Sequence, residues 1–265
     1  MAKGLAIAMV VAVTGLAANA SWAEEYPDRW AVRAGGFFVR NYDTTFRLDS
    51  TGAPVGATID FSNTLGGDVS ADVVRIDGYY RFNSRHRVDL SYYKIQRKGS
   101  RALDVDIQFG DEVFLFNDVV NSEIDSGVIK VGYTHSFYHN EDVELGVSIG
   151  LHTSIIRVSL SDSAGQSEAD SVTAPLPVIG FLMEYHITPR WTTKASAQYF
   201  FISAFGVRGM QSDGLLATEY RLTRHLGAGI GLNHYANAVE YEGNNLMLTE
   251  RSGFTGLLAY VSASF

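Results

Sequence analysis

Along most of this chain hydrophobic and polar residues alternate one for one, the period of a strand whose side chains project to opposite faces. In the clearest stretch Val143, Leu145, Val147, Ile149, Leu151 and Ile155 share one face, while Glu144, Gly146, Ser148, Gly150, His152 and Ser154 share the other. The alternation marks ten segments, near residues 28–41, 71–83, 86–97, 125–138, 142–160, 172–187, 190–204, 213–223, 225–240 and 252–265. After the first 18 residues no apolar run approaches the ~20 residues that a membrane-spanning helix needs.

The two ends of the chain sharpen this pattern. Lys3, the apolar run Gly4–Ala18 and the small residues through Ser21-Trp22-Ala23 read as a secretory signal peptide over residues 1–23, cleaved after Ala23 or alternatively after Ala20. The last segment places Leu257, Ala259, Val261, Ala263 and Phe265 on one face and Leu258, Tyr260, Ser262 and Ser264 on the other. A terminal aromatic carboxylate on an amphipathic strand resembles the signal read by the barrel-assembly machinery, with Tyr260 and Phe265 as its ring residues.

Composition narrows the classes. Removing residues 1–23 takes away Lys3 and no acid, leaving 29 acidic residues against 20 basic and a net charge of −9, so nucleic acid is not an expected partner. Cysteine is absent, which excludes disulfides and thiolate metal sites, and no cofactor is expected. An exported chain with 12% aromatic residues and only strand-like segments crosses a membrane as a closed barrel, because hydrocarbon leaves every backbone N–H and C=O to be paired internally. The expected fold is all-β: a closed antiparallel transmembrane β-barrel in the outer membrane, with ten strands and eight or twelve as alternatives. The alternatives arise because Ala57–Phe61 and Leu103–Phe109 also alternate, and either extend strands above the membrane or form an extra hairpin.

The connections fit that fold. Asn83-Ser84-Arg85, His139-Asn140-Glu141, Thr188-Pro189-Arg190 and Thr223-Arg224 are tight, and the links near 42–70, 98–124, 161–171, 205–212 and 241–251 are mostly longer and polar. Short periplasmic turns and longer extracellular loops are the barrel pattern, and an even strand number puts both ends on the periplasmic side. Aromatic then basic residues recur at the tight turns: Tyr80-Arg81-Phe82 before Arg85-His86, Tyr185-His186-Ile187 before Arg190-Trp191, and Tyr220-Arg221-Leu222 before Arg224-His225.

The hairpin Tyr79–Leu90 and the ending Gly256–Phe265 resemble those of the small Gram-negative outer-membrane barrels, the broad OmpA-type and OmpW-like group. That resemblance implies an integral outer-membrane protein in contact with outer-membrane lipid and lipopolysaccharide, and leaves activity open.

Chemistry in such a barrel lies among inward-facing ionisable groups. The alternation turns Arg33, Arg75, Arg81, Lys130, Lys194 and Arg221 inward, against Asp77, Asp89, Glu144, Glu184 and Glu219, with His152 among them. Charges enclosed in a narrow lumen are costly unless paired, so this near-balance predicts a cross-linked network, either a salt-bridged plug or a charge-lined passage for small solutes. Phe200 and Ile202, also inward, mark a possible route for small hydrophobic molecules under the OmpW-like reading.

Asn233-His234-Tyr235-Ala236-Asn237-Ala238 is similar to the His-aromatic-Ser-Asn stretch of PagL-type lipid A deacylases, but Ala236 replaces the nucleophilic serine, and His234 is expected to face lipid. Omptin-like proteolysis needs paired acids and a His-Asp pair at the outer mouth, whereas Asp104, Asp106, Asp111 and Glu112 have no histidine near them in sequence. His152-Thr153-Ser154 lacks the context of an outer-membrane phospholipase. Residues 98–126 carry seven acids against two bases, and Glu240, Glu242 and Glu250 add to the same end; no ordered metal-ligand spacing is visible. The expectation is therefore a narrow channel or a closed structural and surface-interaction barrel rather than a lipid-modifying enzyme.

Overall fold

A computed structural model describes residues 29–265, apart from 51–57, 105, 110–111, 205–206 and 243–245. In chain order the elements are β1 (Trp30–Ser50), β2 (Thr58–Asp60), α1 (Phe61–Leu65), β3 (Ala71–Asn83), β4 (His86–Ala102), β5 (Ile107–Phe109), β6 (Glu112–Phe114), β7 (Val119–His139), β8 (Val143–Asp162), β9 (Ser167–Thr188), β10 (Trp191–Ala204), β11 (Val207–Arg221), β12 (Leu226–Glu242) and β13 (Leu246–Ser264). All the strands except β5 and β6 join one antiparallel sheet, and within it all but β2 form a ring in which β13 returns to pair with β1 from Ala31↔Ser264 to Ser50↔Leu246. The result is a closed barrel of ten strands. β2 adds to the outer part of β1, and β5 with β6 forms a separate ribbon. Closure leaves no strand edge for lipid to desolvate.

The pleat sorts side chains as the alternation predicts. Ile149 is 64% and Ile179 66% exposed on the outer wall, whereas Glu144 and His152 are buried inside. A soluble protein does not display such a continuous apolar belt. Tyr80, Tyr185 and Trp191 ring the periplasmic rim, and the Arg29 guanidinium lies 5.5 Å from the Tyr80 ring. At the seam the Phe265 ring is stacked between Trp30 and His225, with centroids 4.7 and 4.3 Å away. The backbones of Trp30 and Phe265 exchange N–H···O bonds of 2.9 and 3.0 Å at the same place. The proposed signal peptide lies outside the described residues.

Strands run further outward than the sequence predicts. β7 begins at Val119 rather than near 125, and β11 at Val207 rather than near 213. The long links expected near 161–171 and 205–212 are accordingly strand over most of their length. Beyond the bilayer the outer wall meets water, so its residues turn polar, as in the Lys94–Asp125 ion pair of 2.9 Å, and the apolar alternation fades while the backbone ladder continues. Of the two further alternating stretches, Leu103–Phe109 contributes β5 to the extra ribbon above the membrane, whereas in the other Thr58–Asp60 forms the short β2 laid on β1 and Phe61 opens α1; neither lengthens a strand of the barrel.

That extracellular end has its own core. Asp60 caps α1, its Oδ1 accepting from the N–H groups of Ser62 (2.9 Å) and Asn63 (2.7 Å), and Gly66 ends it at φ 66°. Phe61 and Leu65 of α1, with Leu103, Ile107 and Phe114, pack on the inward residues Val120, Ile124 and Leu160. The first two external loops thus fold together as a cap over the β7–β8 side of the mouth. Arg97 fastens it. This fully buried guanidinium lies between the rings of Tyr42 (4.4 Å) and Phe61 (4.5 Å), and donates to Asp68 O (2.6 Å), Thr44 Oγ1 (3.0 Å) and Ser62 Oγ (3.2 Å).

Candidate functional site

Because β3, β4, β7–β11 and β1 each turn alternate residues inward, charged side chains from distant parts of the chain meet inside the barrel. Nearest the periplasm, Arg81 makes two hydrogen bonds to Glu144, of 3.1 and 2.8 Å. Ser136 Oγ donates to the same carboxylate. Arg87 reaches Glu184 at 2.8 Å and Asp89 at 3.0 Å. Glu219 accepts from Lys194 (3.0 Å), Tyr260 (3.1 Å) and Arg33 (3.3 Å).

One layer further out, Arg75 pairs with Asp77 at 3.0 Å and donates to Asn233 Oδ1 at 3.2 Å. Lys130 bonds to Asp213, which also accepts from Asn233 Nδ2 at 2.9 Å. His152 Nδ1 meets Gln211 Nε2 at 2.7 Å. A polar cavity of about 150 Å³ lies among these groups, bordered by Arg87, Ser91, Lys130, His152 and Glu184. Ser91 Oγ and His152 Nε2, on its border, are buried without a protein partner, and a cavity of this size gives them room for bound water.

Above the charges the lumen becomes apolar. Phe37, Val39, Tyr42, Tyr93, Ile95, Val128, Tyr235 and Phe254 form a buried cluster, with Phe37 and Tyr93 wholly inaccessible to water. Phe254 stacks on Tyr235 at 5.0 Å and meets Phe37 edge-on at 5.8 Å. The Arg75 guanidinium sits 5.3 Å from the Tyr93 ring and 5.4 Å from Phe37, so the charged layer rests against the aromatic one through cation–π contacts. Gly256 makes this packing possible: a Cβ there would stand 2.2 Å from Phe37.

Of the predicted lumen residues, Arg33, Arg75, Asp77, Arg81, Asp89, Lys130, Glu144, Glu184, Lys194 and Glu219 join this bonded network, and His152 is buried beside it. Arg221 ends β11 at the periplasmic rim, its N–H donating to Arg190 O at 2.8 Å. Sequence reasoning missed Arg87, Asp213, Gln211 and Asn233. Arg87 shares a face with Asp89, and Asp213 shares one with Glu219, so strict parity along β4 and β11 would have found both.

The histidines are placed tellingly. His86, His135, His139, His186 and His225 lie toward the periplasmic end, His152 in the lumen, and His234 on the outer wall, 3.1 Å from Thr255 Oγ1. Those are all seven in the chain. Asp104 pairs with Arg101 at 3.1 Å, and Asp106 accepts from the Phe116 N–H at 2.7 Å. Asp111 lies outside the described residues.

No family model matches the chain, and no curated protein matches its sequence. Among solved structures, it is similar to the outer membrane protease OmpT from Escherichia coli, with a TM-score of 0.55 at 8% identity over 89% of this chain and 97% of that one. The fold is that of a small outer-membrane β-barrel. This small barrel also aligns with the outer membrane protein OprG from Pseudomonas aeruginosa (TM-score 0.39, 10% identity, 89% and 95% of the two chains). A further alignment is with the toluene transporter TodX of Pseudomonas putida (TM-score 0.35, 8% identity, 90% and 91%).

Proposed function

We propose that this protein is a closed, non-enzymatic barrel of the OmpA- and OmpW-like kind, which holds a folded cap above the outer membrane for contact with other molecules. The observation that carries this reading is the buried aromatic layer lying on the ion-pair network, two barriers in series across one lumen. A conducting pore needs a continuous wet path, and Phe37, Tyr93 and Phe254 fill the section where one would run.

The placement of the histidines supports the absence of catalysis. None stands at the extracellular mouth, and on the outer wall His234 has Ala236 two residues along, with no hydroxyl to attack an acyl bond. A channel for small solutes is the second reading, favoured by the polar cavity and by Phe200 on the inner wall. Lipopolysaccharide and outer-membrane phospholipid surround the belt in either case, and the barrel-assembly machinery is the partner proposed for Tyr260 and Phe265.

The experiment is single-channel recording of the mature protein in a planar bilayer. The closed reading expects silence from the native barrel and discrete current steps from the Phe37→Ala/Phe254→Ala double variant. Native conductance that changes with Arg75→Ala or Glu144→Ala would make the lumen a passage.

A further inference from the structure

The apolar belt on the outer face of β7 ends at Ile129, after which Gly127, Asp125, Glu123 and Asn121 follow on the same face. Val119 lies ten residues beyond Ile129, which at a rise of ~3.3 Å per residue and a tilt near 40° is roughly 25 Å above the hydrocarbon. Yet large apolar side chains reappear there. Val113 is 44%, Leu115 55%, Phe116 58% and Val119 49% exposed. Lipid cannot account for them at that height, and contiguous exposed apolar residues mark interaction surfaces.

The ridge is held rather than loose. The Leu115 N–H donates to Asp118 Oδ2 (2.9 Å), the Asp118 N–H to Leu115 O (3.0 Å) and the Phe116 N–H to Asp106 Oδ1 (2.7 Å). Leu103 exchanges backbone bonds with Asn117 and Asp118, and Asn117 takes the left-handed φ of 68° that turns the chain. Phe114, next to Leu115, is wholly buried in the cap core. Burial therefore anchors one ring while the turn displays the next. Carboxylates stand with the ridge: Asp106 and Asp118 accept from its backbone N–H groups, and Glu112 precedes Val113 in β6.

We propose that Val113, Leu115, Phe116 and Val119 form a docking surface for a cationic amphipathic peptide segment. Its apolar face would cover the ridge and its lysine or arginine side chains would meet the surrounding carboxylates. Charge complementarity selects this occupant, because a second copy of the acidic cap would be repelled. The proposal rests on the reading of the barrel as a closed surface-interaction protein, and it deepens that reading by naming the partner's chemistry.

The test uses the mature barrel in dodecyl maltoside and two fluorescein-labelled 14-residue peptides, one of leucine and lysine, the other of leucine and glutamate, followed by anisotropy. The lysine peptide is expected to bind saturably, at least tenfold more weakly to Leu115→Ser/Phe116→Ser, and more weakly in 0.5 M salt; the glutamate peptide is expected not to bind. Unchanged heat-resistant gel mobility shows that the variant barrel is folded. Equal affinity for variant and native protein, equal binding of both peptides, or no saturable binding overturns the proposal. Conductance of the native barrel would overturn the closed reading instead, so the two failures are separable.

Discussion

Arg81 and Glu144 illustrate what single residues carry here. Both are buried, and Arg81→Met would leave Glu144 with Arg87 at 3.9 Å as its remaining cation. Removing one member of a buried pair costs about 3–5 kcal/mol, whereas replacing both members by apolar residues is far milder. Arg81→Met is therefore expected to lower stability by about 3 kcal/mol and Arg81→Met/Glu144→Met by less, as read from urea unfolding in vesicles. Glu250 behaves differently. It faces inward at the extracellular end, where burial pushes its carboxyl above the ordinary range although Ser252 and Asn237 (2.6 Å) hydrogen-bond to it. A raised carboxyl pKa in the fold favours the neutral form, so the cost of ionising it is absent in acid and grows as pH rises through the unfolded value. Glu250→Gln is expected to raise the melting temperature at pH 7.5 and to leave it unchanged at pH 3.5. Much of this chemistry was legible from parity alone, including ten members of the bonded network. Which partner each charge takes was not: Arg33 meets Glu219 and Arg75 meets Asn233 across the lumen, and those meetings depend on barrel stagger, which alternation does not encode.

At the level of elements, the strand ladder and the cap make separable demands. α1 has a capping aspartate and a terminating glycine, but five residues of helix are not stable alone, and what holds α1 is Arg97. Hydrogen bonds from a charged donor are worth about 1.5–3 kcal/mol each, so Arg97→Ala is expected to free the first external loop. Limited proteolysis should then cleave near residues 61–70 while the barrel strands stay protected; protection of both would show that the apolar cluster suffices. The periplasmic ends of the strands were read to within a residue or two, because tight turns and aromatic rims punctuate them. The outer ends were read short by up to nine residues, in β1, which runs to Ser50 rather than 41, because there water bathes the outer wall and the hydrophobic contrast that defines a strand in sequence disappears.

For the whole molecule, contacts inside the lumen join residues far apart in the chain: Arg33 with Glu219 and Arg75 with Asn233 are separated by 186 and 158 positions. Apart from β10, whose Lys194 pairs with Glu219 on the adjacent β11, each strand contributing a charge is thus fastened to a strand that is not its neighbour. Peeling away any one hairpin would break its ladder and also strand an ion on the far side of the lumen, a cost that falls on the intact remainder. Such a barrel has no inexpensive half-open state. In an envelope strained by osmotic shock and scoured by detergents, the interior charges act as cross-ties through a hollow column, and the wall yields all at once or not at all.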